Sequence, residues 1–296
     1  MAKKLLPLFL LITIFLFSCN EDKEISNDVY IGGQIANPSS RYVVISKNDV
    51  ALDTFFLNED NQFGGKLKNI EEGLYIFKHS PENQVMYLQP GDSTLIFVNT
   101  LSFDESLNFS GEEAVKSNFF TNMYLENQKN NELVLSYYKS TPLEFAKKTD
   151  SIREVRKKDL EALDKKYELS DKFYDLACTT INYEYYDLRE RYALLVRKYL
   201  REYVDDIPED FHEYREDINF NDKDLQDYYV YLNFIDDYLR TKSLEYCKEN
   251  NIDNKNCYNL TSLNNIRRRM KMADTLFTNA NIKYTFLNRL AAQGII

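Results

Sequence analysis

The sequence predicts an α+β protein, in which an amino-terminal antiparallel β-sandwich is followed by an all-α helical bundle. Three observations predict this order. Seven of the eight glycines lie between Gly32 and Gly111, and none lies between Glu112 and Gln293. Because glycine marks turns, the first part is turn-rich and the second is not. Short β-branched and aromatic runs fill the first part, whereas the spacing of apolar residues becomes helical after Glu112.

Short runs rich in β-branched and aromatic residues, separated by turn signals, predict the strands. They are residues 42–46, 50–57, 74–78, 85–88 and 94–98. A sandwich of roughly seven or eight strands fits the available length. Pro90-Gly91 suits the central pair of a type II turn, since proline presets the first φ and glycine accepts the positive second φ. We therefore expect residues 85–89 and 93–99 to pair as a hairpin.

Apolar residues spaced by three, four and seven predict two long helices in the second part. Thr141 before Pro142 supplies a helix start for a charged helix that reaches about Tyr167, and Ser170 can cap the next helix. Pro208 marks a break. The result is a bundle of roughly six or seven helices. The two apolar stripes are Phe173, Leu176, Ala177, Ile181, Leu188, Tyr192, Leu195 and Tyr199, and then Leu225, Tyr228, Leu232, Ile235, Leu239 and Tyr246.

The first residues have the order of a secretory signal peptide. Lys3 and Lys4 precede an apolar run over residues 5–17, and Ser18 stands directly before Cys19. Thirteen helical residues would span only about 20 Å of a hydrocarbon core about 30 Å thick, so removal of the segment is favoured over a transmembrane helix. An ordinary secretory signal with an incidental cysteine is the competing interpretation.

Leu16-Phe17-Ser18-Cys19 resembles the bacterial lipobox, which implies cleavage before Cys19 and acylation of that cysteine. Residues 1–18 are then the lipoprotein signal peptide and residues 19–28 are the lipidated cysteine and a charged tether. Two or three acyl chains hold a protein firmly at a membrane. The spacer over residues 20–24 is similar to the export signal of surface-displayed lipoproteins in Bacteroidota, or is a plain solvated tether. The expected location is the cell envelope, at the outer membrane.

The charge of the chain argues against nucleic acid as a partner. The formal net charge is −10, and loss of Lys3 and Lys4 with the signal peptide leaves −12. An acidic surface repels phosphate backbones, and the one dense basic run, Arg267 to Arg269 with Lys271, is typical of a solvated helix face.

Few residues offer chemistry beyond the anchor. Cys178, Cys247 and Cys257 leave an odd number of thiols, so one should stay unpaired. Cys247 and Cys257 bracket a polar stretch and either form a disulfide that closes a loop or remain two free thiols. His79 and His212 lack partners at metal-ligand spacing, and no phosphate loop, serine elbow or Cys-x-x-Cys is present. The sequence indicates no catalytic residue, metal or cofactor.

Several short motifs occur in an order that resembles the front of a known family. They are Tyr30-Ile31-Gly32-Gly33-Gln34-Ile35, Leu52-Asp53-Thr54, residues 57–63, Gly73-Leu74-Tyr75, Leu88-Gln89-Pro90-Gly91-Asp92 and Phe109-Ser110-Gly111-Glu112. This is similar to the amino-terminal region of Bacteroidota lipoproteins of the TlpA-like thioredoxin family. The likeness covers most of residues 30–118. It implies a lipid anchor, a β domain and a helical region, whereas the family's thioredoxin domain has no counterpart here. Because glycine punctuation and strand periodicity stop near residues 110–113, we expect a β domain over residues 29–111 and a helical domain over residues 112–296, packed as separate cores.

Two functions follow from these expectations. The first is a membrane-anchored, non-catalytic envelope module that binds or positions a protein, peptide or glycan. The alternative is a truncated or split thioredoxin-like thiol-disulfide oxidoreductase whose catalytic domain lies outside this chain. The first is preferred, because a disulfide reductase needs a reactive thiol with a resolving thiol close by.

We expect the mature protein to begin at an acylated Cys19 and to partition with membranes. Intact-mass analysis of the purified protein should show lipid on its first residue, and Cys19→Ala should release the protein from the membrane fraction. A mature species that starts elsewhere, or a Cys19→Ala variant that stays equally membrane-bound, would contradict the anchor.

Overall fold

The computed structural model of the chain describes residues 27–200, 206–252 and 255–294. The signal peptide, Cys19 and residues 20–26 of the tether lie outside the described residues. Within these ranges eight strands precede the long helices, so the predicted α+β class and the order of sandwich and bundle are confirmed. No helix within the described ranges is long and apolar enough to cross a bilayer.

The eight strands form two four-stranded sheets. One sheet has the order β4-β1-β7-β8 and the other has the order β3-β2-β5-β6. All pairs are antiparallel except β1 with β7, which run parallel. The strands are β1 (Val29–Ala36), β2 (Tyr42–Lys47), β3 (Val50–Phe56), β4 (Gln62–Leu67), β5 (Gly73–His79), β6 (Glu82–Leu88), β7 (Ser93–Asn99) and β8 (Asn108–Ser110).

The predicted hairpin across Pro90-Gly91 is wrong. Gly91 has the expected positive φ of +87°, but β6 pairs with β5 and β7 pairs with β1 and β8. After the turn the chain enters the other sheet, because the backbone of the turn forms hydrogen bonds with residues at the start of β1. The N–H of Gly91 donates to the Asp28 carbonyl, and the N–H of Tyr30 donates to the Asp92 carbonyl. A type II turn here connects two sheets.

Strand β4 was not expected, because its Gly64-Gly65 pair is typical of a turn. Both glycines are required by neighbours instead. A Cβ at Gly64 would lie 2.6 Å from the Tyr30 hydroxyl, and a Cβ at Gly65 would lie 2.4 Å from the Phe55 ring. Gly64 therefore leaves room for the Tyr30 side chain of the paired strand β1, and Gly65 leaves room for the Phe55 ring of β3.

The helices agree closely with the predicted starts and ends. Thr141 and Glu144 form a capping box, with Pro142 in the first turn, and that helix ends at Tyr167. The Ser170 hydroxyl caps the next helix by accepting from the Phe173 N–H. The helices are α1 (Phe103–Ser106), α2 (Ala114–Leu135), α3 (Pro142–Tyr167), α4 (Asp171–Tyr199), α5 (Tyr229–Glu249), α6 (Lys255–Tyr258), α7 (Leu263–Leu276) and α8 (Ala280–Gln293).

The two parts do not keep fully separate cores, contrary to the expectation from the sequence. The space between the sheets is filled by its own cluster of strand residues. However, Leu74 of β5 and Val85 and Tyr87 of β6 belong to the cluster that the helices bury. The Tyr87 ring packs against Phe120 and Phe173, with centroids 6.5 and 5.0 Å apart. The β3-β2-β5-β6 sheet is therefore the surface on which the helices pack.

Polar contacts fix this seam. Helix α2 runs along the free edge of β6, where the Ser117 hydroxyl accepts from the Tyr87 N–H at 2.9 Å and donates to the Tyr87 carbonyl at 3.0 Å. The Tyr87 and Ser170 hydroxyls both donate to Glu72, at 2.6 and 2.7 Å. Burial alone would raise the pKa of Glu72, but these two bonds and the nearby Lys116 outweigh burial and lower it. Glu72 is thus held as a carboxylate.

We expect Ser117→Ala to lower the free energy of unfolding by about 1–3 kcal/mol, because it leaves the buried Tyr87 N–H and carbonyl unpaired. Ser151→Ala, at an exposed position of α3, is a matched helical control and should change it by less than about 0.5 kcal/mol. Urea denaturation followed by circular dichroism measures both. Equal midpoints for the two variants would show that the Ser117 bonds do not stabilise the seam.

Candidate functional site

Three adjoining depressions on the helical part form one continuous groove. Their volumes are about 520, 340 and 190 Å³. The first two share Arg153, Tyr186 and Asp217, and the last two share Thr179 and Asp222. We call this surface the acidic groove. Its lining is Gly73, Asp150, Arg153, Lys172, Asp175, Leu176, Thr179, Asn182, Tyr183, Tyr185, Tyr186, Arg189, Asp210, Glu213, Tyr214, Glu216, Asp217, Asn219, Asp222 and Asp224.

The floor of the groove follows one face of α4. Lys172, Asp175, Thr179, Tyr186 and Arg189 recur at helical spacing and therefore share that face. The 17 residue steps from Lys172 to Arg189 correspond to a length of about 25 Å at 1.5 Å per residue. This length would accommodate about seven residues of an extended polypeptide.

One wall of the groove is the 3₁₀ segment Glu209–Asp217, which a buried ion pair fixes to α4. Arg215 donates to both oxygens of the fully buried Glu190, at 2.7 and 3.1 Å, and the Tyr214 hydroxyl donates to Glu190 at 2.6 Å. Phe211 and Tyr214 are buried beneath the segment. Their burial leaves Glu213 and Glu216 on the solvent side, where both are exposed.

The same ion pair extends to α5. Arg215 also donates to Glu245, which contacts Arg197 and Lys242 as well. Burial alone would raise the pKa of Glu245, but the charge of Arg215, the bond from Lys242 and the charge of Arg197 hold it at about 2. The segment is therefore attached by bidentate and charge-assisted bonds, which are the stronger class of hydrogen bond.

The basic residues of the groove are all engaged by the protein itself. Arg153 donates two hydrogen bonds to the side-chain amide oxygen of Asn182, at 3.0 and 2.7 Å. Arg189 is buried and contacts Asp150 at 2.7 Å. Lys172 donates to the backbone carbonyl of Glu72 at 2.6 Å. Of the three positive charges, that of Arg189 is thus paired with a carboxylate, whereas Arg153 and Lys172 are held by neutral acceptors and keep their charge.

Carboxylates outnumber basic side chains in the groove by eight to three. Two of the eight are engaged. Asp150 accepts from Arg189 and Tyr185, and Asp222 accepts from the Asp224 N–H. The other six form no ion pair or side-chain hydrogen bond with any residue in the described part of the chain; they are Asp175, Asp210, Glu213, Glu216, Asp217 and Asp224. The groove therefore presents a concentrated negative charge to solvent.

The tyrosines of the groove are core residues. Tyr183, Tyr185, Tyr186 and Tyr214 are all buried. The guanidinium carbons of Arg153 and Arg189 lie 4.7 and 4.5 Å from the centroid of the Tyr185 ring. Burial raises the pKa of Tyr185 to about 12. These rings shape the groove from below and offer little open face to a ligand.

The cysteines and histidines do not contribute to the groove. Cys247 of α5 and Cys257 of α6 form a disulfide, with Cα atoms 6.0 Å apart, and Arg268 donates to both sulfurs. Closure of this short loop stabilises the fold by about 2–3 kcal/mol in the chain-entropy model. Cys178 is the free cysteine among the described residues, and burial followed by the charge of Asp175 raises its pKa.

Both histidines have structural surroundings. The Nε2 atom of the buried His79 accepts from the Ser39 N–H at 3.0 Å. Burial, and then the charges of Arg215 and Arg197, lower the pKa of His212 to about 3, so this ring is neutral at physiological pH. No group of three or more candidate ligands that could hold a metal ion occurs in the described ranges.

Sequence reasoning did not find the groove. Its acidic residues come from α3, α4 and the segment after Pro208, and their proximity depends on the long-range bond of Arg215 to Glu190. The density of acidic residues at Asp205, Asp206, Glu209, Asp210, Glu213, Glu216 and Asp217 was the available signal. The structure is thus an α+β protein with an acidic groove on its helical part. Comparisons of this chain with protein families, with curated proteins and with solved structures found no match.

A second group of carboxylates is buried inside the bundle. Glu184 and Asp187 of α4 are each 2% exposed. Arg156 Nε lies 3.4 Å from Glu184 but is not aligned for a hydrogen bond, and Arg191 lies 3.1 Å from Asp187. Both Glu184 oxygens and one Asp187 oxygen have no hydrogen-bond partner among the described residues. Burial raises the pKa of Glu184 to about 7, of Asp187 to about 6, and of Asp237 of α5 to about 7.

Glu184 should make the folded state less stable as the pH rises. Its pKa is higher in the folded than in the unfolded chain, so the folded state binds the proton more tightly. The stabilisation is complete below about pH 4.5 and is lost as the pH rises through about 7. As the pH rises from about 5 to about 8, we expect the free energy of unfolding of Glu184→Gln to increase relative to that of wild type by on the order of 1–3 kcal/mol.

Urea denaturation at each pH measures this gain. The difference between the two proteins removes the opposite contributions of His79 and His212, which both proteins share. Glu161→Gln, at an exposed position of α3, should give a curve parallel to that of wild type. If the Glu184→Gln curve is also parallel to wild type, Glu184 does not lose its proton in this range.

Proposed function

We propose that this protein is an envelope lipoprotein, anchored through Cys19, whose non-catalytic body holds an extended cationic polypeptide in the acidic groove. The observation that carries the proposal is the imbalance of charge in the groove. Six carboxylates point to solvent without a partner among the described residues, whereas the groove holds only three basic residues, of which Arg189 is already paired with Asp150. A partner with lysine or arginine side chains would supply the missing positive charges.

The shape of the groove favours a polypeptide over a compact ligand. The three depressions succeed one another along about 25 Å of α4, and the carboxylates are spread over this length. Lysine and arginine side chains on an extended strand are about 7 Å apart at alternate positions. Such a partner could therefore reach several carboxylates at once, which a single small cation could not do.

The character of the aromatic residues disfavours a glycan. Sugar rings are held by stacking on open aromatic faces, but the four tyrosines that line the groove are buried. Attraction between charges at the rim acts mainly on the rate of association and is screened by salt. The proposed complex is thus fast to form, moderate in affinity and sensitive to ionic strength.

The anchor and the likeness to TlpA-like lipoproteins belong to the same proposal. Lipid on Cys19 would restrict the acidic groove to the surface of the outer membrane, where a tethered body meets its partner at high local concentration. The front of the thioredoxin-like lipoproteins would then be used here for binding, with no redox chemistry in the described part of the chain.

We expect the protein to bind a fluorescein-labelled peptide of five Lys-Ser-Gly repeats at low ionic strength. Fluorescence anisotropy measures the Kd. Glu213→Gln, Glu216→Gln and Asp217→Asn together should raise the Kd about fivefold or more, because three exposed ion pairs contribute about 0.2–1 kcal/mol each. Raising the salt from about 50 to about 300 mM should weaken wild-type binding as well.

A triple variant of the sandwich provides the matched control. Glu59→Gln, Asp60→Asn and Glu82→Gln remove the same number of charges at exposed positions and should change the Kd less than twofold. An equal effect of the two triple variants would show that only net charge attracts the peptide. Absence of binding by wild type would refute the cationic partner.

A further inference from the structure

The outer face of the β4-β1-β7-β8 sheet is uncovered by the described helices, whereas the helices cover the β5 and β6 side of the other sheet. The alternation along β4, β1, β7 and β8 and their register define its outward positions. Leu95, Phe97 and Tyr30 lie on it and are 49%, 48% and 41% exposed. We call this surface the acid-free face. Apart from Ala36 and Asn99 at the strand ends, its outward residues are the 11 positions Gln62, Gly64, Lys66, Tyr30, Gly32, Gln34, Ser93, Leu95, Phe97, Asn108 and Ser110.

The charge on this face is unusual for the chain. The protein has 47 aspartate and glutamate residues, yet none of the 11 outward positions holds one. Lys66 is the one charged side chain among them. A face without carboxylates avoids the repulsion that an anionic lipid surface exerts on the rest of this acidic protein.

The glycines of the face make it shallow. The Tyr30 ring lies over Gly32 and Gly64, where a Cβ would come within 3.0 and 2.6 Å of its hydroxyl. Beside it, a depression of about 430 Å³ extends between Gln34, Gln62, Leu95 and Phe97. Tyrosine and phenylalanine on a flat surface suit the boundary between lipid headgroups and acyl chains, where amphipathic rings are enriched.

The short distance to Cys19 points to the occupant. The Asn27 carbonyl accepts from the Ile70 N–H at 2.8 Å, so the chain is attached to the sandwich from Asn27 onward. Eight residue steps separate Asn27 from Cys19, and even fully extended they reach at most roughly 29 Å. Tyr30 follows Asn27 by only three residues. An acyl chain on Cys19 would thus hold this face within reach of the lipid surface.

We propose that the acid-free face lies against the phospholipid bilayer, with Leu95, Phe97 and Tyr30 in contact with its interface. This inference rests on the proposed anchor at Cys19. The groove lies on the helical part, which packs on the other sheet, and the contact would therefore orient the groove away from the lipid. A second copy of the chain is the competing occupant.

The absence of tryptophan from the sequence allows a direct test. Phe97→Trp and, as a control, Phe56→Trp on β3 each introduce a single fluorophore at a position at least about half exposed. Each acylated variant is reconstituted into vesicles of phosphatidylethanolamine and phosphatidylglycerol that contain brominated lipid. We expect bromine to quench the Phe97→Trp variant at least threefold more than the Phe56→Trp variant, and we expect a blue-shifted emission only from the former.

Equal quenching of the two variants, or stronger quenching of the Phe56→Trp variant, would overturn the proposal. Sedimentation of the unacylated Cys19→Ser chain tests the competing occupant. If that chain forms a dimer that Leu95→Glu with Phe97→Glu dissociates, the face belongs to a second copy and not to lipid. Melting curves establish that each variant is folded. Intact-mass analysis tests the lipid anchor, and the peptide-binding assay tests the groove. If both of these tests succeed and the quenching experiment fails, only the inference about the acid-free face is refuted.

Discussion

The placement of Tyr87 is the constraint on which the arrangement of the two parts depends. Its backbone groups are occupied by Ser117 of α2 on the free edge of β6, and its ring lies in the helical core between Phe120 and Phe173. Its hydroxyl meets Glu72, which also holds Ser170 at the start of α4. One residue therefore closes a sheet edge, fills a core and sets where the longest helix begins, and the acidic groove follows from the course of that helix.

Local signals in the sequence predicted most of the secondary structure. The capping residues Thr141 and Ser170 predicted the starts of α3 and α4 to the residue, because these signals act within one or two turns of a helix. The second apolar stripe predicted the existence of α5, but it began at Leu225, four residues before the helix starts at Tyr229. Five of the eight strands were predicted from their runs of β-branched and aromatic residues.

The errors arose where distant residues decide the outcome. Pro90-Gly91 specifies a turn, but whether a turn joins two partners in one sheet depends on β1, far earlier in the chain. Gly64 and Gly65 look like a turn in the sequence, because a glycine pair is a common turn signal. Their real reason is the close approach of the Tyr30 and Phe55 side chains, which are distant in the sequence or on another strand. The acidic groove was missed for the same reason. Its wall is positioned by the ion pair of Arg215 with Glu190, and the spacing of residues in the sequence does not predict such a long-range contact.

The parallel pairing of β1 with β7 has a consequence for the order in which the sandwich can form. Tyr30 lies opposite Ser93, 63 positions later in the chain, so β1 emerges from the ribosome long before its partner exists. Until then one side of β1 carries unpaired N–H and carbonyl groups that can pair with any other extended chain. Such distant contacts slow folding. In a chain made from its amino terminus, this side of β1 therefore stays unpaired with β7 until synthesis has reached Asn99, the last residue of β7.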